Sequence, residues 1–266
     1  MDSTVASPRP LRIADVAAAL GDLATRFDID LLEQCDSSNG RMMRRADTGA
    51  PSGSVILALE QTAGRGRRGR AWVSAPGDSL TFSLLWRFPP ARALSGLSLA
   101  VGVALVRALE RLPLAGLSLK WPNDLLLGEG KLAGVLIEVA PTQAREPATV
   151  IGIGLNLRLP AAMPEEVRVR AAALPDPLPD PNQLLASLLI ELHAVLKEFG
   201  NNGFAGLRHE WMEHHAYHQR PVQLLSDFAA PVVGICQGVD EDGALLLETP
   251  AGVQRIISGE ISLRTV

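Results

Sequence analysis

The chain runs to 266 residues, with 25 basic and 29 acidic side chains, a formal net charge of −4 and 47% hydrophobic residues. This ordinary globular composition excludes intrinsic disorder and low-complexity classes, and the length allows one large domain with a small companion. Residues 94–106, the longest apolar run, are broken by Ser and Gly, and Asp15 with Gly21-Asp22 interrupts any signal core, so neither a spanning helix nor a signal peptide is expected. Cys35 and Cys236 form no CxxC spacing, which fits a reducing, cytoplasmic setting.

In chain order, residues 11–26 read as an amphipathic helix and residues 30–36 as a strand. That strand runs into Ser37-Ser38-Asn39, a natural cap for the short basic helix RMMRRA. Strands are expected at 54–61 and 80–88, on either side of the loop GRGRRG, with a helix at 95–111. Three further strands, 117–121, 132–139 and 149–157, follow, the first two joined through WPND and a GEG turn. Meandering strands with few helices between them argue for an α+β mixed sheet. The proline-dense residues 174–181 read as an extended loop, and 182–199 and 203–218 as two helical segments. From residue 220 short alternating strands (PVQLL, VVGICQGV, ALLLE, VQRIIS) suggest a small β-barrel, which places a domain boundary near residue 219.

Gly64-Arg65-Gly66-Arg67-Arg68-Gly69 matches GxGxxG, but the following AWVSAPG opens no helix, so a dinucleotide fingerprint fails, and HRD and DFG kinase signatures are absent. What remains is a loop whose glycines let a ligand approach the backbone and whose arginines attract phosphate or carboxylate; an exposed basic turn or a nucleic-acid patch are the alternatives. The net charge and the C-terminal region, with six acids against three arginines from residue 220, weigh against nucleic acid. Basic charge is otherwise spelt almost entirely as Arg, with Lys only at 120, 131 and 197. Lys120, at a strand end before Trp121-Pro122-Asn123-Asp124, is therefore read as a point charge reaching into a cleft, or else as a solvated edge residue. Glycines within GKLAGV and within Ile151-Gly152-Ile153-Gly154-Leu155-Asn156 mark either tight packing or a ligand close to the backbone. His209 to His215, with Glu210, His214 and His218 spaced for one helix face, is not HExxH and reads as a solvated face, with no metal site built by the protein.

Together and in this order, Ser-Ser-Asn, Gln61 leading into AGRGRRGRAW, KWPND, GKLAGVLIE, the GIGLN run and GALLLE…GEISLR resemble the biotin protein ligase family across most of the chain. The resemblance implies a class II synthetase-like mixed sheet with helices on one face over residues 1–219, and a small SH3-like barrel over 220–266. It implies activation of biotin by ATP, with magnesium as the nucleotide's partner, to biotinyl-adenylate, then transfer to a lysine of a biotin carboxyl carrier domain such as that of acetyl-CoA carboxylase. The family's biotin contacts carry over to Ser37, Ser38, Asn39, Gln61, Arg65, Gly66, Arg67 and Lys120, with Gly64 in the same loop; Trp72, Asn123, Lys131, Gly152, Gly154 and Asn156 follow. Lys120, Arg65 and Arg67 would carry the chemistry. Ser38 stands where the family usually has Thr. The 36 residues ahead of the serine pair are too few for the winged helix-turn-helix of some members, so no DNA partner is expected, nor a membrane; the chain would be a monomer or homodimer. A lipoate or octanoate ligase is the sister reading, and a biotin-sequestering protein without catalysis the reading from another class.

Overall fold

The computed structural model describes residues 10–140, 148–226, 230–257 and 261–265. Ile13–Leu20 (α1) ends at Gly21, whose φ of 55° a side chain would resist, so the helix expected over 11–26 gives way to a 3-10 turn at Gly21–Arg26. Asp28–Cys35 (β1) leads into Ser38–Asp47 (α2), capped by the side chain of Ser37, which accepts from the backbone N–H of Gly40. Then come Ser54–Gln61 (β2), Ser79–Arg87 (β3) and Leu97–Leu109 (α3). Leu117–Lys120 (β4), Asp124–Leu127 (β5), Gly130–Ala140 (β6) and Ala148–Asn156 (β7) complete the large sheet. β5 was not expected: only four residues long and starting directly after Pro122-Asn123, it offers too short a pattern to read.

The strand order is β1-β2-β3-β7-β6-β5-β4, with β1 and β2 parallel and the other pairs antiparallel, a mixed sheet as expected. Strand periodicity sends successive side chains to opposite faces. One face carries Val55, Leu57, Phe82, Leu84, Ile151, Ile153 and Leu155, all within one apolar core with α3. Behind the short Glu165–Arg168 (α4), the long helix Pro181–Asn202 (α5) joins that layer, packing on both α1 and α3. Asp180 caps α5 by accepting from Asn182 N–H at 2.9 Å, with Pro181 in the first turn, and Gly203 ends it at φ 70°.

One helix departs from the expected single layer. α2 lies across the opposite face, where Met42 and Ala46 pack on Ile56, Leu85, Ala148 and Val150. The helical segment expected over 203–218 is also shorter than its pattern suggests, ending with Arg208–Glu213 (α6). Beyond it the backbone turns back to the sheet: Leu119 N–H donates to His214 O at 2.7 Å and Ala216 N–H to Leu119 O at 3.0 Å. The His-rich stretch is accordingly solvated only in part, at the exposed His209, Glu213 and His218. Glu210 accepts from Arg107 at 2.8 and 2.6 Å, and His215, 8% exposed, lies against Trp211 with ring centroids 4.6 Å apart.

Pro221–Ser226 (β8), Val232–Val239 (β9), Leu245–Thr249 (β10), Gly252–Ile256 (β11) and Ile261–Thr265 (β12) form the small C-terminal unit, an antiparallel sheet ordered β11-β10-β9-β8-β12. Ser258, the end of the expected strand VQRIIS, lies outside the described residues. The two units meet closely. Trp121, 1% exposed, donates its indole N–H to Gly243 O at 3.1 Å.

Candidate functional site

The face of the large sheet opposite α3 and α5 changes character along its length. Thr81 and Ser83 of β3 alternate with the apolar residues that face the core, and Gly152, Gly154 and Asn156 occupy the corresponding positions on β7. Ser83 is fully buried behind Ser38 and Asn39, and Thr81, Gly152, Gly154 and Asn156 floor a cavity of about 770 Å³, a size suited to a compact ligand. Its walls are the N-terminus of α2, the glycine-arginine loop, the turn between β4 and β5, and β6.

The glycines are there for close approach. A Cβ on Gly152 would stand 2.3 Å from Asn39 Oδ1, and one on Gly154 2.3 Å from the indole of Trp72. The loop is itself a small hairpin: Gly66 N–H donates to Arg70 O at 2.7 Å and Trp72 N–H to Gly64 O at 2.9 Å, with Arg68 and Gly69 both at positive φ in the turn. Gly64 does not line the cavity; a Cβ there would meet Trp72 O at 2.4 Å, so it closes the hairpin.

At the α2 end, Ser37, Ser38 and Asn39 are 6%, 5% and 3% exposed. Gln61 Oε1 accepts from Ser38 N–H at 2.8 Å and lies 3.1 Å from Ser38 Oγ. Ser83 Oγ stands 2.8 Å from Ser38 Oγ and 2.5 Å from Asn39 Oδ1, and Asn39 Nδ2 donates to Glu138 at 2.9 Å. The result is a wall of hydroxyls and amides, groups that both donate and accept.

The other end is cationic. Lys120 lies 5.8 Å from the centre of the Tyr217 ring, and its burial pulls its pKa below the usual lysine range, against the attraction of Asp124. Asp124 itself pairs with Lys131 at 2.6 Å, and Lys131 lies 5.8 Å from the Trp72 ring centre. Arg67 donates to Asn123 Oδ1 at 3.3 Å, and burial lowers its guanidinium's pKa. Asn123 is held in turn by Val135 O at 2.7 Å, and Asn156 Nδ2 by Lys131 O and Ala172 O at 3.2 and 3.0 Å. Arg70, Arg170 and, from the C-terminal unit, Arg264 stand around the same cavity. Charges of this density in a partly dry cleft suit a polyanion.

Every site residue that the resemblance implies except Gly64 therefore lines one cavity. Sequence reasoning missed Ser83, Glu138, Asp124, Tyr217, Arg170 and Arg264. Ser83 had a signal in the polar alternation of SLTFSLLW, and Asp124 sits inside KWPND; Tyr217 and the two arginines carry none, because the fold alone brings them here.

Residues 34–156 match the model of the Biotin/lipoate A/B protein ligase family, and residues 219–264 that of the Biotin protein ligase C terminal domain. The bifunctional ligase/repressor BirA of Escherichia coli (strain K12) is 35% identical over 97% of this chain and 80% of its own length. The biotin–[acetyl-CoA-carboxylase] ligase of Paracoccus denitrificans is 35% identical over 87% of this chain and 98% of its own. Among solved structures, the biotin protein ligase of Aquifex aeolicus in complex with biotin and ATP superposes with a TM-score of 0.79 at 31% identity, over 90% of this chain and 99% of that one. A cavity with a hydroxyl-amide end and a cationic end, the mixed sheet beneath it and relatives matched along almost the whole sequence agree: this chain belongs to the biotin protein ligase family.

Proposed function

We propose that the chain is an ATP-dependent biotin protein ligase, which activates biotin to biotinyl-5′-adenylate and transfers the biotinyl group to a lysine of a biotin carboxyl carrier domain. The observation that carries this reading is the two-ended cavity, which joins the Ser38, Asn39 and Gln61 wall to the Lys120, Lys131 and arginine cluster.

Biotin's ureido head has one carbonyl acceptor and two N–H donors, and the hydroxyls of Ser37 and Ser38 with the amides of Asn39 and Gln61 serve both. Leu136 and Trp72 flank the space for the tail. The biotin carboxylate then attacks the α-phosphorus of ATP, the bond to the β-phosphate oxygen breaks, and pyrophosphate leaves. Two anions must meet for this step, and Lys120 with Arg65 and Arg67 offsets their repulsion and the charge growing on the phosphoryl oxygens. Lys131, Asn123 and Asn156 position the adenylate, with Gly66 giving it room and Gly152 and Gly154 seating Asn39 and Trp72 against the sheet. In the second step the carrier's lysine amine attacks the acyl carbon and AMP departs. Magnesium on this reading comes with the nucleotide, on its phosphates, as part of the substrate.

The partner on this reading is the biotin carboxyl carrier domain of acetyl-CoA carboxylase or a similar carboxylase, met in the cytoplasm by a monomer or homodimer, with neither DNA nor membrane involved. The acidic balance weighs against a nucleic-acid partner; among the described residues no helix is long and apolar enough to cross a membrane. A division into a catalytic domain over 1–219 and a C-terminal domain over 220–266 is supported by β8 starting at Pro221. Pyrophosphate release from MgATP, measured separately with biotin, lipoate and octanoate, tests the function. Release with biotin alone is expected; release with lipoate or octanoate alone would move the chain to the sister ligases, and none with any acid would make it a binding protein.

A further inference from the structure

Glu138 takes no part in either reaction step, yet it touches both walls of the cavity. On β6 the residues Gly134, Leu136 and Glu138 alternate along the site face, opposite Gly154, Gly152 and Val150 of β7. Glu138 Oε2 accepts from Asn39 Nδ2 at 2.9 Å and lies 3.5 Å from Arg65 Nη2. The first contact reaches the capped end of α2 and the second the glycine-arginine loop, with a side cavity of about 330 Å³ between that loop and Leu136 and Glu138.

A primary amide presents a donor at one end and an acceptor at the other, and its neighbours decide which way round it sits. A carboxylate only accepts. Leu136 O, 3.3 Å from Asn39 Nδ2, also only accepts, so β6 draws the NH₂ end of Asn39 towards itself. Oδ1 is thereby turned to Ser83, whose hydroxyl donates its single proton across 2.5 Å. With that proton committed, the single proton of Ser38 Oγ lies between two acceptors, Ser83 Oγ at 2.8 Å and Gln61 Oε1 at 3.1 Å. The orientation of the Asn39 amide, and with it the direction of the Ser83 hydroxyl, is thus set from β6 by Glu138 together with Leu136 O, Glu138 being the closer acceptor.

We propose that Glu138 is a positioning and specificity residue, whose acceptor-only carboxylate orients the Ser38–Ser83–Asn39 wall for a cyclic urea head group and ties Arg65 of the loop to that wall. The inference rests on the biotin reading and adds to it the residue that selects the ureido head over a purely aliphatic or dithiolane acid. Glutamine in this position offers a donor as well as an acceptor, which leaves the orientation of Asn39 to the longer contact with Leu136 O and so loosens the direction of the wall. Aspartate keeps the acceptor-only character on a shorter arm.

The test is equilibrium titration of biotin, with steady-state kinetics, on the full chain and its Glu138→Gln and Glu138→Asp variants. Glu138→Gln is expected to weaken biotin binding and raise its KM by about tenfold, the scale of one misdirected hydrogen bond, while kcat and the KM for ATP change by less than about twofold. Glu138→Asp should recover part of the loss. Should Glu138→Gln fold poorly, Asn39→Asp alone and combined with Glu138→Gln gives a second comparison. There the donor and acceptor exchange places, and the double variant should bind biotin more tightly than Asn39→Asp. Wild-type affinity in Glu138→Gln, an equal loss in kcat, or no gain in the double variant would overturn the inference and leave the proposed function standing. Failure of the unaltered protein to bind biotin would overturn both.

Discussion

The two faces of the seven-stranded sheet are made by the same strands and do opposite things. On β3, Leu80, Phe82 and Leu84 enter the apolar core beneath α3, whereas Thr81 and Ser83, one residue out of phase, lie on the opposite face, Thr81 lining the cavity and Ser83 buried against Ser38 and Asn39. On β7, Ile151, Ile153 and Leu155 alternate in the same way with Gly152, Gly154 and Asn156. The helix face is filled to stabilise the fold, and the other is emptied of its own side chains at Gly152 and Gly154, so that Asn39 and Trp72 lie on the backbone, and is lined with polar groups. Both faces are thoroughly buried, so burial alone does not separate structural positions from functional ones. Phase along the strand does.

The largest expected effect is at the cationic end of the emptied face. Lys120→Ala should leave the fold intact and slow adenylate formation by about a hundredfold or more, measured by pyrophosphate release in single turnovers. Near-normal release would remove Lys120 from the chemistry. Because burial holds the Lys120 pKa below the ordinary lysine range, the ammonium is lost at lower pH than usual. The wild-type rate should therefore fall on the alkaline side sooner than a solvated lysine would cause, and an unchanged rate through that range would show that its charge is not used.

The seam between the two sheets gives the next effect. His215 is buried among Trp211, His218 and Cys236, and burial with the neighbouring His218 lowers its pKa from 6.5 to about 4. The folded state therefore prefers the neutral ring, and the unfolded chain takes up the proton first. Stability from this group is complete above pH 6.5 and declines by roughly 3 kcal/mol as the pH falls through the interval down to about 4. Urea unfolding of wild type and His215→Gln across that range checks it: the acid slope should flatten in the variant, and parallel slopes would exclude His215 as its source.

Much of the fold and of the site is legible in the amino-acid sequence, and for a physical reason. Long apolar strands such as Ser54–Gln61 carry their own pattern, and the motifs at Ser37–Asn39, the glycine-arginine loop and KWPND lie in uninterrupted stretches of sequence. What escapes is set by tertiary contact. β5 exists because Asp124–Leu127 is held between β4 and β6, and the segment after α6 leaves its helical pattern because Leu119 offers it backbone partners. α2 can be read as a helix with its cap, but nothing in its own residues tells which face of the sheet receives it. Glu138 sits at the end of a motif run among strand residues, and only the fold sets Asn39 and Arg65 beside it.

The smallest expected effects give the sharpest test, because they separate neighbouring residues. Ser83→Ala removes a hydroxyl from the site face, and Phe82→Leu trims the core on the other. Biotin titration and thermal melting of these two variants beside wild type should give crossed results. Ser83→Ala is expected to bind biotin about tenfold more weakly, with a stability change of about 1 kcal/mol or less. Phe82→Leu is expected to keep wild-type affinity while losing about 1–2 kcal/mol of stability. Affinity that falls equally in both variants, or in Phe82→Leu alone, would contradict the assignment of binding to one face of the sheet.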